Sequence, residues 1–152
     1  MSHAAQLARI ATLVEGVTDV GRVHTWPRYG DAAEHWVTTI DGEPQVRAWE
    51  IGLDESGIQA LRHTEVHVAH YINWLIRGYL GLDDQAAAYN TIIALAESIR
   101  AALEGDTTLA GTCLNMVGEN GGVPDVSEPG TVEIGSGPLC WTVTIRFTTY
   151  EL

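Results

Sequence analysis

The last twelve residues, "WTVTIRFTTYEL" (Trp141 to Leu152), decide the fold. Apolar and polar residues alternate along them. One parity contains Trp141, Val143, Ile145, Phe147 and Thr149, and the other contains Thr142, Thr144, Arg146, Thr148 and Tyr150. Because successive side chains of a β-strand point to opposite faces, this pattern predicts a strand with one buried face. Such a strand needs neighbours and a covering layer, so we expect it to be part of the core sheet.

The bulk composition predicts a single folded domain spanning residues 1–152. Hydrophobic residues make up 45% of the chain and the mean hydropathy is +0.02, values typical of globular proteins and unlike those of disordered chains. The apolar stretches are too short to cross a bilayer, and the first residues lack the pattern of a signal peptide. We therefore expect no membrane partner and no export.

The charge is strongly negative. Eight cationic residues, all arginine, stand against twenty acidic ones, which gives a net charge of -12. Such a surface repels phosphate, so we expect no specific binding of DNA, and it is compatible with a surface that DNA slides past without sticking. The two cysteines, Cys113 and Cys140, lack the spacing of a zinc site, and we expect reduced thiols.

The first half of the chain predicts one helix and a hairpin. Ser2 is a suitable N-cap for a helix that ends near Gly16, and a short strand precedes Pro27. The pair Asp41-Gly42 is a turn signal between apolar runs, which predicts a hairpin of strands 36–40 and 46–53.

The second half predicts a long central strand within residues 65–82, followed by the best helix of the chain. Asp83 or Asp84 is the expected cap of that helix, which runs to about Leu103. Its expected inner stripe is Tyr89, Ile92, Ile93, Ala96, Ile99 and Leu103. A strand at 113–117 follows. This order of elements predicts an α+β fold, with two helices packed on one face of a mainly antiparallel sheet.

A long loop is predicted at residues 118–138, because six glycines and three prolines occur there. The "TVEI" segment inside it could form a strand. Its acidic residues keep the loop solvated, and we expect it to become ordered only against a neighbouring molecule. These predicted interface residues are Glu119, Asp125, Glu128 and Glu133.

Catalytic and metal-binding patterns are weak. The sequence contains no nucleophile elbow, phosphate-binding loop or zinc-protease motif, so we expect no enzymatic activity. His63, His67 and His70 would share a helix face as metal ligands, but the β-branched residues between them favour a strand, which separates His70 from the other two. We expect no metal and no cofactor.

Surface aromatics predict a protein interface. Trp26 lies beside Pro27, Trp36 lies near a turn, and Trp49 is flanked by Arg47 and Glu50. Tryptophan, tyrosine and arginine are enriched at interfaces, so Trp26, Trp36, Trp49 and Arg47 are the candidates for contact with a partner.

The ending "TVTIRFTTYEL" resembles the tail-terminator (minor tail protein U-like) family of long-tailed bacteriophages. Members of that family close on a similar strand that finishes in "TYE" plus an apolar residue, here Thr149, Tyr150, Glu151 and Leu152. The chain length, the N-terminal helix and the helix before the last strands are also similar to the family.

The resemblance implies a virion structural protein without enzymatic activity, assembled in the host cytoplasm and located at the head-proximal end of the tail. It implies a homo-oligomeric ring, a hexamer in the family, that terminates the tail tube and joins it to a head-side neck or connector protein. Partners would be the tail tube protein and the neck protein. Three alternatives remain open: a related neck or tail-completion adaptor, a small α+β ligand-binding module, and an enzyme or metalloprotein that uses the histidines.

Overall fold

A computed structural model describes residues 3–26, 35–62, 68–82, 87–118, 124–134 and 139–151. These residues contain two helices and eight strands in a mixed, mostly antiparallel sheet, which confirms the predicted α+β class. The helices are α1 (His3–Glu15) and α2 (Ala88–Glu104). The strands are β1 (Arg22–His24), β2 (Val37–Ile40), β3 (Glu43–Arg62), β4 (Val68–Gly81), β5 (Asn115–Val117), β6 (Asp125–Val126), β7 (Gly130–Glu133) and β8 (Leu139–Glu151).

The centre of the sheet is the order β1-β3-β4-β8-β5. β2 also pairs with β3, while β6 and β7 pair with β8. Among the strands that the structure describes, only β1 runs parallel to its neighbour. The predicted long central strand is confirmed as β4, and the terminal strand is confirmed as its neighbour β8. The turn of the β2–β3 hairpin is also confirmed, since Asp41 and Gly42 have the positive φ angles, 52° and 82°, of a tight hairpin turn.

Both helices pack on one face of the sheet. Ile10 and Val14 of α1 join Ile92 and Ile99 of α2 in a single apolar cluster, to which the sheet adds inward-facing side chains. These include Trp49, Ile51, Trp74, Ile76, Val143, Ile145 and Phe147. A smaller cluster on the other side contains Cys140, whereas Cys113 belongs to the large one. The two thiols therefore lie in different clusters and form no disulfide.

The start of α2 differs from the prediction. The N-cap is Ala87, which has a left-handed backbone, and the helix begins at Ala88. Asp83 and Asp84, the predicted caps, lie outside the described residues. Ser2, the predicted cap of α1, does so as well. Within the predicted stripe of α2, Tyr89 is exposed and instead stacks edge-on against Trp141 with ring centroids 5.0 Å apart.

The prediction of a loop throughout residues 118–138 is partly wrong. Residues 125–126 and 130–133 form β6 and β7 on the outer edge of β8, so "TVEI" does contribute a strand. Ser127 between them also donates its backbone N–H to Thr144 O at 2.8 Å. Glycine and proline content hid this pairing because a two- to four-residue edge strand needs only a few ladder bonds from its neighbour. Residues 119–123 and 135–138 lie outside the described part of the chain.

A buried polar contact joins α1 to the end of β8. The Thr149 hydroxyl is fully buried, accepts a hydrogen bond from Trp74 Nε1 at 3.0 Å and donates one to Gln6 Oε1. Gln6 is 1% exposed and donates through Nε2 to Thr112 O at 3.4 Å. This one hydroxyl therefore connects α1, β4 and β8.

Replacing Thr149 with valine keeps the shape but leaves Trp74 Nε1 and Gln6 without that partner. We expect a loss of about 1–3 kcal/mol in the free energy of unfolding, measured by urea titration. Thr142→Val is the matched control on the same strand, because Thr142 Oγ1 is buried and has no hydrogen-bond partner in the described part of the chain. That variant should be neutral or up to about 1 kcal/mol more stable. Equal losses in both variants would contradict the role of Thr149.

Candidate assembly interface

One edge of the sheet is open over half its length. β1 and β2 pair with β3 between Glu43 and Glu50, and beyond Glu50 the outer edge of β3 has no strand partner among the described residues. Leu53 and Ile58 lie on this stretch with 40% and 54% of their surfaces exposed. A strand edge of this length offers backbone N–H and C=O groups to another chain. We call residues 51–62 the β3 edge.

The β3 edge contains a register irregularity that is held in place by side chains of β4 and β8. The pairing of β3 with β4 shifts register between Leu53 and Ile58, and Gly57 within the shift has a positive φ of 59°. Asn73 of β4 donates from Nδ2 to Gly57 O at 3.0 Å, and Thr148 of β8 donates its hydroxyl to Asn73 Oδ1 at 2.8 Å. The shape of the edge is thus set by side chains from the two central strands.

The opposite edge of the sheet has a different structure. Its strands β5, β6 and β7 are short and all pair with β8. Leu114 lies just before β5, donates its backbone N–H to Tyr150 O at 2.9 Å and is 53% exposed. We call residues 114–117 the β5 edge. It carries an exposed leucine, as the β3 edge does, but presents a short strand instead of a long one.

The two edges lie at the same level of the sheet. Ile58 pairs with Ile72, which pairs with Thr149, which pairs with Met116 of β5. Ile58 and Leu114 therefore lie at the same end of the strands and at opposite sides of the sheet. From β3 across β4 and β8 to β5 there are three gaps between strands, so the β3 and β5 backbones lie about 14 Å apart at the usual strand spacing.

The predicted tryptophans fall into two groups. Trp26 is 53% exposed, as an interface residue would be. The prediction of exposure is wrong for Trp36 and Trp49, which are 5% and 1% exposed. Trp49 faces the helices and donates from Nε1 to Val20 O at 2.9 Å, while Trp36 packs edge-on against Tyr79. Both rings are core side chains, because two apolar clusters cover the two faces of the sheet here.

Arg47 is also buried, at 7% exposure, which contradicts its predicted place on the surface. Two nitrogens of its guanidinium donate hydrogen bonds inside the protein, Nη1 to Asp19 O at 2.9 Å and Nη2 to Gln45 Oε1 at 2.8 Å. Burial lowers its pKa from the ordinary value, against the opposing charges of Asp19 and Asp41.

The predicted acidic residues lie near β8. Asp125 is half-buried in β6 and pairs in register with Arg146. Glu128 and Glu133 are exposed on the same edge of the sheet, but Glu133 pairs with Leu139 at the other end of β8 from Arg146, so the structure does not bring Asp125 and Glu133 together. Glu119 lies outside the described residues.

On the sheet face opposite the helices, the part beside the β3 edge is polar. A cleft of about 640 Å³ opens there beside the β3 edge, lined by Asp54, Tyr71, Asn73, Arg146 and Thr148 among others. Its side chains pair with one another, since Arg146 lies 3.7 Å from Asp54 and Thr148 donates to Asn73. The cleft thus presents hydrogen-bonding groups that are largely satisfied.

Two titratable groups lie further along this face, the half-buried Tyr79 and the buried Cys140. Burial, followed by the charge of Glu50, raises the pKa of Tyr79 to about 12, and the Tyr79 hydroxyl donates to Glu50 Oε2 at 3.2 Å. Burial also raises the pKa of the Cys140 thiol to about 11. Both groups are therefore neutral at physiological pH, and the Cys140 thiol is a poor nucleophile there.

The histidine prediction is only partly described. His63 and His67 lie outside the described residues, and His70 is exposed on β4. In the part of the chain that the structure covers, no three His, Cys, Asp or Glu side chains are grouped to hold a metal ion. Among those same residues, neither helix has the length and apolar character to cross a membrane.

A comparison of the sequence with protein-family models and with curated proteins returns no match. The sequence did not point to the β3 edge or to Leu114. Gly57 inside a patterned strand was the available signal, since an isolated glycine there is typical of an irregular register.

The burial of Trp49 can be tested at Gly78, which faces it across β3 and β4. A Cβ atom at Gly78 would lie 2.4 Å from Trp49 Cζ3. We expect Gly78→Ala to lower the free energy of unfolding by about 1–3 kcal/mol, because the indole ring cannot move aside within a packed core.

Gly130→Ala is the control for this substitution, since a Cβ there meets nothing within 4 Å. Its effect in urea denaturation should stay within about 0.5 kcal/mol. Similar stability of the Gly78 variant and the wild type would show that Trp49 is loosely packed.

Proposed function

We propose that this protein is a virion structural subunit that closes into a ring at the head-proximal end of a phage tail tube. The ring would terminate the tube and join it to a head-side neck protein. One observation carries the proposal: the β3 edge and the β5 edge are unlike, both expose an apolar side chain, and both lie at the same level of the sheet. The resemblance of residues 142–152 to the tail-terminator family supports it.

Unlike edges favour a ring over a two-fold dimer. A two-fold interface uses the same patch on both subunits, whereas a head-to-tail interface joins two different patches and closes only if each step is a pure rotation. Patches at different levels would add a translation at each step and produce an open helix. Ile58 aligns through the sheet with Met116, two residues from Leu114, so the two edges overlap in level, which suits a closed ring.

The physical contact would extend the sheet from one subunit to the next. Among the described residues no strand pairs with the outer backbone of the β3 edge, and two apolar side chains, Leu53 and Ile58, are exposed there. Adding a strand to an open edge gives affinity through backbone hydrogen bonds, and the apolar side chains add burial. A partner segment bearing Leu114 supplies apolar surface of the matching kind.

The charge supports the expected passage of DNA. The net charge of -12 makes a ring of several subunits strongly acidic, which opposes adhesion of a phosphate backbone in its lumen. A related neck or tail-completion adaptor would share this physics. Direct binding of this protein to the tube end would distinguish a tail terminator from such an adaptor.

The interface can be tested with two single variants, Ile58→Lys and Leu114→Lys. Each lysine places a charge in one of the two patches, so neither variant should self-associate beyond the monomer in sedimentation velocity at high concentration. A one-to-one mixture should form dimers and nothing larger, because each pair retains one intact junction. The wild type should form larger closed species, promoted by tail tubes.

Leu139→Lys is the control, because Leu139 is 47% exposed but lies at the other end of β8. This variant should associate as the wild type does. Dimers formed by either variant alone would indicate a two-fold interface and contradict the ring. A wild type that stays monomeric with tubes and neck proteins would favour the ligand-binding module.

A further inference from the structure

The β5 edge is preceded by a turn with an uncommon backbone conformation. Residues 106–113 join the C-terminal end of α2 to Leu114, and we call them the 106–113 turn. Leu109, Ala110 and Gly111 follow one another with positive φ angles of 47°, 57° and 82°. A residue with a Cβ atom disfavours this left-handed conformation, so the first two of these residues need contacts that hold them in it.

Asp106 supplies such contacts. Its Oδ1 accepts a hydrogen bond from the backbone N–H of Ala110 at 2.9 Å, and its Oδ2 accepts one from Arg9 Nε of α1 at 2.7 Å. The backbone carbonyl of Asp106 accepts the N–H of Leu109 at 3.0 Å. The hydrogen bond from Ala110, followed by the contact with Arg9, lowers the pKa of the Asp106 carboxyl against the effect of its burial. One ionised side chain therefore ties the left-handed residues to α1.

The far end of the 106–113 turn leads directly into the proposed junction. The side chain of Leu109 is fully buried in the large apolar cluster and anchors the middle of the turn. Cys113 donates its backbone N–H to Thr108 O at 3.1 Å, and Leu114 donates the next one to Tyr150 O at 2.9 Å. The direction in which the chain leaves the turn therefore decides where Leu114 lies against β8.

We propose that Asp106 is the positioning residue of the β5 edge, because it holds the 106–113 turn in the shape that presents Leu114 to the β3 edge of a neighbouring subunit. This inference rests on the proposed ring, since it assigns the residue that prepares one of the ring's two surfaces. The side-chain hydrogen bonds of Asp106 go to α1 and to the turn, whereas β3 is separated from β5 by β4 and β8. Loss of Asp106 therefore disables one surface and spares the other.

Amide hydrogen exchange of Asp106→Ala, followed by NMR, tests the positioning itself. We expect the Leu114 amide to exchange at least tenfold faster than in the wild type, because its bond to Tyr150 O opens when the turn is released. The amides of the central strand β4 should change by a much smaller factor. An increase at Leu114 that is no larger than the increase in β4 would overturn the proposal, since it would indicate only a general loss of stability.

Sedimentation velocity of mixtures tests the effect on assembly. Asp106→Ala should form dimers with Ile58→Lys, whose β5 edge is intact. It should associate at least tenfold more weakly with Leu114→Lys, because neither variant in that mixture has an intact β5 edge. Equal association with the two lysine variants would overturn the proposal. A mixture of Ile58→Lys with Leu114→Lys is the reference, and an absence of dimers there would contradict the ring itself, whatever the exchange rate of Leu114.

Glu104→Ala is the matched control, since it removes a carboxylate at the end of α2 that lies 3.8 Å from Arg100 Nε. This variant should associate as the wild type does. Gly111→Ala is the second test variant and replaces Asp106→Ala if that protein does not fold. A Cβ at Gly111 meets nothing within 4 Å, so the substitution acts through the φ of 82°. It should show the same one-sided loss, and equal association with both lysine variants would overturn the proposal.

Discussion

The antiparallel pairing of β8 with β4 is the constraint on which the rest of the structure depends. It joins twelve successive residue pairs, from His70 with Glu151 to Gly81 with Cys140, and the outer edge of β8 in turn holds β5, β6 and β7. A slip of one residue would turn the entire apolar parity of β8 to the polar face. The buried hydroxyl of Thr149, placed between Trp74 and Gln6, can form its contacts in one register only. The sheet order and the positions of both edges follow from this pairing.

Strong periodicity made the main elements predictable. β8, β4, α2 and the turn at Asp41-Gly42 each have a pattern that fits one local structure, so the α+β class and the hairpin followed from the sequence. The N-cap of α2 could not be predicted in this way. The helix begins after Ala87, which has a left-handed backbone and forms no side-chain capping bond. β6 also escaped prediction and β7 was anticipated only as a possible strand at "TVEI", since their pairing depends on β8 and not on their own residues.

The candidate site was harder to predict than the fold. Charged neighbours made Trp49 look exposed, yet Arg47 and Glu50 are themselves buried, at 7% and 8%. Charged neighbours in sequence indicate an exposed residue only where their side chains reach solvent. Here the Arg47 guanidinium instead donates to oxygens inside the protein. The exposed edges depend on which strands lie beside β3 and β8, a long-range property that local patterns do not encode. The described part of the glycine-rich segment is bound to β8, so ordering of that part does not require a partner.

In the ring proposal, two unlike edges of a single sheet join neighbouring subunits, and the pairing of β8 sets the distance between those edges. The most direct measurement of that idea is cryo-electron microscopy of the protein mixed with tail tubes. The ring proposal predicts one closed ring at one end of each tube, with neighbouring subunits joined from the β3 edge to the β5 edge. Bare tube ends, open helical stacks of the protein, or rings joined through other surfaces would contradict it.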